Sequence, residues 1–144
     1  MRESPAASFA IETEFVVGAT TVWDYVVDPR NDPEWRSGVR AVTGVTMAPG
    51  VAPQQYELIG SPMGADARTA VTLEAAVRPT HAVWSQRIPK FEVVTTLELT
   101  TVDGGTHGRF TVDLHGSKAM AVVVRKAIQA GFNKDLQRLQ SALA

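Results

Sequence analysis

Apolar and polar positions alternate along most of this chain, and the places where the period changes mark its elements. Residues 8–17, SFAIETEFVV, put Phe9, Ile11, Phe15 and Val17 on one parity and Glu12 and Glu14 on the other, the period of a half-buried strand. The spacing then turns helical: Val22, Trp23, Val26 and Val27 recur at helical intervals, Thr20 stands where a cap is expected, and Pro29 ends the segment. In Asn31-Asp32-Pro33-Glu34-Trp35-Arg36, Asp32 suits a cap and Pro33 the first helical position, so a second short helical turn is expected.

From about residue 38 the alternation returns, with strands predicted near 39–46, 54–60, 65–78, 81–88, 91–102 and 106–116. Turn-forming clusters separate them: Ala48-Pro49-Gly50, Ser61-Pro62-Met63-Gly64, Arg78-Pro79-Thr80, Pro89-Lys90 and Asp103-Gly104-Gly105. The last is the strongest signal, because Asp-Gly between alternating runs suits the positive φ angles of a tight hairpin. Beyond Ser117 one stripe of Met120, Val124, Ile128, Phe132, Leu136, Leu139 and Leu143 follows a helical period to the C-terminus. Gly131 lies at its edge, where a missing side chain is expected to let the helix approach the sheet, at about 1 kcal/mol in helix propensity. The pattern predicts an α+β domain over residues 1–144: one strand, two short helices, six antiparallel strands and a long C-terminal helix.

Parity also names the side chains on the sheet's concave side: Tyr56, Leu58, Ala67, Thr69, Val71, Leu73, Trp84, Gln86, Val93, Thr95, Leu97, Leu99, Phe110, Val112 and Leu114. Ala67, Thr69, Gln86 and Thr95 are small or polar for an interior, so part of this face is expected not to fill itself. Trp84 and Tyr56 would offer flat apolar faces to a ring-containing ligand, and Gln86 could hold a polar atom. Trp35 is expected near the mouth, with the loop at 61–64 and Ile88-Pro89-Lys90-Phe91. The expected ligand-binding set is therefore Trp35, Tyr56, Thr69, Trp84, Gln86, Phe91, Thr95, Met120 and Val124.

Composition narrows the partners. The chain has 144 residues, 44% of them hydrophobic, with 14 Lys+Arg against 15 Asp+Glu and a formal net charge of -1. No positive excess exists to neutralise a phosphate backbone, which argues against nucleic acid. Without cysteine there is no disulfide, thiolate nucleophile or Cys-based zinc site. The acid and proline of Met-Arg-Glu-Ser-Pro do not suit a secretion signal, and the apolar run Ala119–Val124 is far shorter than the ~20 residues of a membrane-spanning helix. A cytoplasmic location is expected; a homodimer is left open.

Catalytic signals are sparse. His107 and His115 lie eight residues apart on one predicted strand, roughly 26 Å at ~3.3 Å per residue, too far to share an ion, and neither a metal nor a cofactor is expected. Asp113 and His115 share a strand face opposite Phe110, Val112 and Leu114, so that pair is expected in water. Arg36, Arg40, Arg68 and Arg87 are the cations that would matter if a pocket opens beside them, anchoring a carboxylate or stabilising an enolate.

Val22-Trp23-Asp24 with Asp28-Pro29 and Pro33-Glu34-Trp35-Arg36 resembles the opening helices of the START/SRPBCC superfamily, in its polyketide cyclase/dehydrase-like branch. Arg78-Pro79 before His81-Ala82-Val83-Trp84-Ser85, and Asp103-Gly104-Gly105-Thr106 before Arg109-Phe110-Thr111-Val112, resemble its middle and penultimate hairpins. The resemblance spans nearly the whole chain and implies a helix-grip fold, a seven-stranded curved antiparallel sheet around a long C-terminal helix with two short helices after strand one, and a cavity between sheet and terminal helix. It implies a hydrophobic small-molecule ligand such as a polyketide, lipid or aromatic compound. Two alternatives stand beside that reading: a cyclase or dehydratase that folds a carbonyl substrate in a shaped pocket, and a co-chaperone or protein-interaction module using the outer sheet. Whether there is catalysis, and by which residues, the sequence leaves unknown.

Overall fold

The computed structural model describes residues 2–60 and 67–144. Strand β1 (Ala7–Phe15) leads into helix α1 (Ala19–Val26), a 3-10 turn (Pro29–Asn31) and the single-turn helix α2 (Asp32–Trp35). Six strands follow: β2 (Val39–Thr43), β3 (Gln54–Gly60), β4 (Arg68–Val77), β5 (His81–Ile88), β6 (Phe91–Val102) and β7 (Gly105–Gly116). Helix α3 (Ala121–Ala142) closes the chain; its 22 residues make a rod of about 33 Å. All seven strands form one antiparallel sheet in the order β1-β7-β6-β5-β4-β3-β2, the meander expected from the turn spacing with β1 returning beside β7.

The register carries the interior from strand to strand. One row on the concave face runs Tyr56, Val71, Gln86, Val93, Leu114; the next runs Gln54, Leu73, Trp84, Thr95, Val112, Phe9. A third row sets Ala82 beside Leu97 and Phe110. Because side chains alternate between faces, a one-residue slip anywhere would turn a whole row to solvent, so burial of these rows fixes the pairing. A bulge between Leu73 and Ala75 shifts parity on β4, so Ala76 faces the core where even positions earlier in that strand face out.

Several local expectations need correction. Gly18, not Thr20, stands at the N-cap of α1 and makes no side-chain cap bond. Asn31 occupies the cap position of α2, while Asp32 begins the helix with its side chain buried. It is Asp28 that caps the preceding 3-10 turn, accepting from the Arg30 amide at 3.1 Å. Strand β2 stops at Thr43 instead of 46, before Gly44 at φ +79°. Ala67, expected inside, is exposed. Helix α3 starts at Ala121, and Met120 in front of it is 41% exposed. Nothing lies within 4 Å of a Cβ built on Gly131, so that glycine does not mark a close helix–sheet approach. The turn predicted at 61–64 lies outside the described residues. At Asp103-Gly104 the hairpin forms as expected, with Gly104 at φ +80°.

Helix α3 is fastened at both ends of its second half. Asp135, only 8% exposed, accepts from the Ser37 amide at 2.8 Å and the Ser37 hydroxyl at 2.6 Å. Gln140 donates to the Glu14 carbonyl at 2.8 Å and Arg138 to the Glu34 carbonyl at 3.1 Å. Its apolar stripe divides between two cores. Leu136, Leu139 and Leu143 pack with α1 and Phe110; Val124 and Ile128 pack with Phe9, Phe91 and Leu114.

Candidate functional site

Phe132 bridges those two cores, its ring meeting Phe9 edge-on at 6.4 Å and Phe110 at 5.2 Å between centroids. On its other side the interior is not filled. Val26, Asp32, Trp35 and Arg36 from the opening helices, Tyr56 from β3, Trp84 and Gln86 from β5, Val93 and Thr95 from β6, Phe110 and Phe132 surround a cavity. Space open to the centre of a water molecule amounts to about 30 Å³, enough for one or two waters and too small for an aromatic ring. Arg36, Trp84, Gln86, Thr95 and Phe132 keep part of their surface accessible, whereas Trp35, Tyr56 and Asp32 are buried.

The rows of the sheet explain this lining. Gln86 and Thr95 stand in the two inner rows among mostly larger apolar side chains, and both border the cavity. Of the nine residues expected to bind a ligand, the structure brings Trp35, Tyr56, Trp84, Gln86 and Thr95 together around the cavity. It places the other four elsewhere. Phe91 and Val124 are packed into the core around Phe9 and Leu114, which fills the space under the first half of α3. Met120 lies at the surface with its sulfur 3.8 Å from the Lys90 ammonium. Thr69 pairs with Leu58 at the β3–β4 edge and does not line the cavity. The opening lies one helical stretch further along α3 than parity alone suggested.

Asp32 is the residue that sequence reasoning missed, because Asp before Pro reads as a cap. The residue is 3% exposed, and burial pushes its carboxyl pKa up to about 7, with the Arg36 guanidinium opposing and Asp28 adding to the rise. Arg36 Nη1 stands 3.9 Å from Asp32 Oδ2, beyond hydrogen-bond length, and its guanidinium lies 5.9 Å from the centre of the Trp35 ring. Burial likewise holds the Tyr56 phenol well above its ordinary pKa, with Asp32 adding to that and Arg36 and Trp84 opposing. Trp35 Nε1 is buried without a hydrogen-bond partner. An arginine does reach the cavity, and it is Arg36; Arg68 pairs at the surface with Glu57 at 3.6 Å, and Arg40 and Arg87 are exposed.

The remaining polar candidates sit on the outer face. His107 contacts Glu14 and Glu12, the first of them the larger cause of an imidazole pKa above its ordinary value. Asp113 accepts from the Ser8 hydroxyl at 2.6 Å. Arg2 bridges Glu74 and Glu92, and Arg109 approaches Glu12 at 3.7 Å. Among the described residues, that face carries several ion pairs. No helix of the described residues is long and apolar enough to cross a membrane.

Comparison with known proteins agrees with this architecture. A START superfamily protein from Mycobacterium smegmatis superposes with a TM-score of 0.79 at 12% identity, over 94% of this chain and 96% of that one. A protein from Rhodobacter sphaeroides gives 0.75 at 19% identity, over 99% and 95%. The di-domain ARO/CYC StfQ of the steffimycin biosynthetic pathway gives 0.75 at 12% identity, over 94% of this chain and 50% of that one. No curated protein sequence matches. These identities show a shared helix-grip fold, and the sequence itself supplies the rest: the family model described as polyketide cyclase/dehydrase and lipid transport matches residues 6–144. Matched over all but its first five residues, the chain belongs to that family.

Proposed function

We propose that the chain binds a small, ring-containing apolar molecule in the cavity between the sheet and α3. Family and fold support a hydrophobic ligand-binding or cyclase role. The observation that carries the finer reading is the lining: the rings of Trp35, Trp84, Tyr56, Phe110 and Phe132 all border one space that no side chain fills. Stacked and edge-on aromatic contacts favour a planar guest. Its size requires Phe132 and the adjoining part of α3 to yield, since about 30 Å³ does not admit a ring.

Toluene and naphthalene are suitable probes. At a hundredfold excess over Kd, binding adds about 2.7 kcal/mol and raises Tm by roughly 5–10 °C for a domain of this size. The indole N–H resonances of Trp35 and Trp84 should move saturably while that of Trp23, bonded to the His81 carbonyl at 3.0 Å, stays fixed. A flat Tm and unmoved resonances across both probes would refute the reading.

One observation favours the enzymatic alternative. An ionisable carboxyl, Asp32, borders the cavity beside Arg36 and Tyr56, the kind of group that cyclisation or dehydration of a carbonyl compound requires for proton transfer. Turnover of a poly-ketone by the wild type and its loss in Asp32→Asn would separate an enzyme from a carrier.

A further inference from the structure

The first turn of α3 carries side chains that the fold does not use. Three valines run in succession, and only Val124 packs into the core around Phe9 and Leu114. Val122 and Val123 are 57% and 70% exposed, and Met120 just before them is 41% exposed. Two β-branched residues at solvent-facing helical positions lower helix propensity and bury nothing in return. Among the described residues, no other stretch turns three large apolar side chains to solvent within four positions.

Cations surround this patch and acids avoid it. Residues 114–134 hold four of the chain's 14 cationic side chains, Lys118, Arg125, Lys126 and Lys134, and none of its 15 acids. Lys126 stands one turn beyond Val122 and Val123 on the same helix face, and Lys118 lies just before Met120. The turn between β5 and β6 adds another: the Ser117 amide donates to the Lys90 carbonyl at 3.4 Å, and the Lys90 ammonium lies 3.8 Å from the Met120 sulfur. Lys90, Lys118 and Lys126 are all exposed. The acids that border the stretch are engaged elsewhere, Asp113 by Ser8, Glu92 by Arg2 and Asp135 by Ser37.

We propose that this end of the molecule docks on an anionic lipid bilayer, with Met120, Val122 and Val123 entering the headgroup boundary and Lys90, Lys118 and Lys126 against the lipid phosphates. Apolar tips ringed by cations match such a surface twice over, because burial of the valines and attraction of the ammonium groups act together. A second copy of the chain fits worse. A two-fold contact would set the lysines of both copies against one another, and three partly exposed side chains fall well short of the ~800 Å² that each partner of a standard interface buries. Docking in this way lays the folded domain on the membrane without crossing it, whatever the cavity holds.

Co-sedimentation of the whole chain with vesicles tests the proposal. At about 0.1 M salt the protein should partition onto vesicles of equimolar phosphatidylglycerol and phosphatidylcholine. Partition should be at least tenfold weaker onto pure phosphatidylcholine, or at about 1 M salt, where the screening length shrinks from ~10 to ~3 Å. Val122→Gln with Val123→Gln removes the apolar tips while improving helix propensity, so this variant should keep its Tm; its partition onto the anionic vesicles should fall about tenfold. Lys118→Gln with Lys126→Gln should lower it about twentyfold, near fivefold per cation. Val16→Gln, at a position 71% exposed beyond the end of β1 remote from Gly116, should change nothing. Equal partition onto both vesicle types, unchanged partition of the valine variant, or an equal loss in Val16→Gln would overturn the proposal. So would a dimer in sedimentation velocity that dissociates in the valine variant, which would assign the patch to a second copy.

Discussion

Replacing Asp32 by Asn should stabilise the protein, and by an amount that depends on pH. The folded chain holds this carboxyl at about 7 against an ordinary 3.8, so between those values the folded state binds a proton that the unfolded state has released. Stability therefore falls as pH rises across that window and levels off above it. At about 1.4 kcal/mol per pH unit the full difference is roughly 4 kcal/mol, an upper figure that local relaxation and water reduce to about 2–4. Against a typical domain stability of about 5–15 kcal/mol this is a large handicap. Urea unfolding of both proteins, followed by tryptophan fluorescence from about pH 4 to pH 8.5, isolates it. Depressed carboxylates such as Asp24, bonded to Arg78, and Glu74, bonded to Arg2, contribute stability that is lost only as pH falls through their lowered values. His107, raised by Glu14 and Glu12, contributes below its ordinary 6.5 and loses that contribution as pH rises through its folded value. Both effects are common to the two proteins and cancel in the difference. The variant should match the wild type near pH 4 and exceed it progressively up to about pH 8. A gap that is constant with pH, or that widens toward acid, would refute the assignment of Asp32 as a buried, destabilising acid.

Two further substitutions test the helix. Gly131→Ala places a methyl in open space inside a 22-residue helix and should raise unfolding free energy by about 1 kcal/mol, read as a higher urea midpoint with unchanged slope. Phe132→Ala removes the ring that touches both Phe9 and Phe110; it should cost about 3 kcal/mol and, by enlarging the cavity, shift preference from toluene toward naphthalene in the same titration.

Most of the fold was legible because alternation and turn chemistry acted together. Strands β3, β5 and β6 fall where their periodicity placed them, since each buries one face and so cannot slip. What local pattern could not carry was set by tertiary structure. Parity on β4 changes at a bulge, and the helix cap passes from Thr20 to Gly18 where the strand hands over to α1. In the site, parity found Tyr56, Trp84, Gln86 and Thr95 but could not say which part of α3 they would face, so Met120 and Val124 were expected where Phe132 stands. Asp32 escaped notice because its capping and its burial are alternative uses of one short side chain. Its position three residues before Trp35 in a one-turn helix was the signal that could have revealed it.

The clasp between Ser37 and Asp135 ties the segment after α2 to the middle of α3, one turn beyond Phe132. Trp35 and Arg36 lie just before one half of that clasp, and the Glu34 carbonyl just before them accepts from Arg138, so the short helix that roofs the cavity is riveted to α3 on both sides of the Trp35 indole.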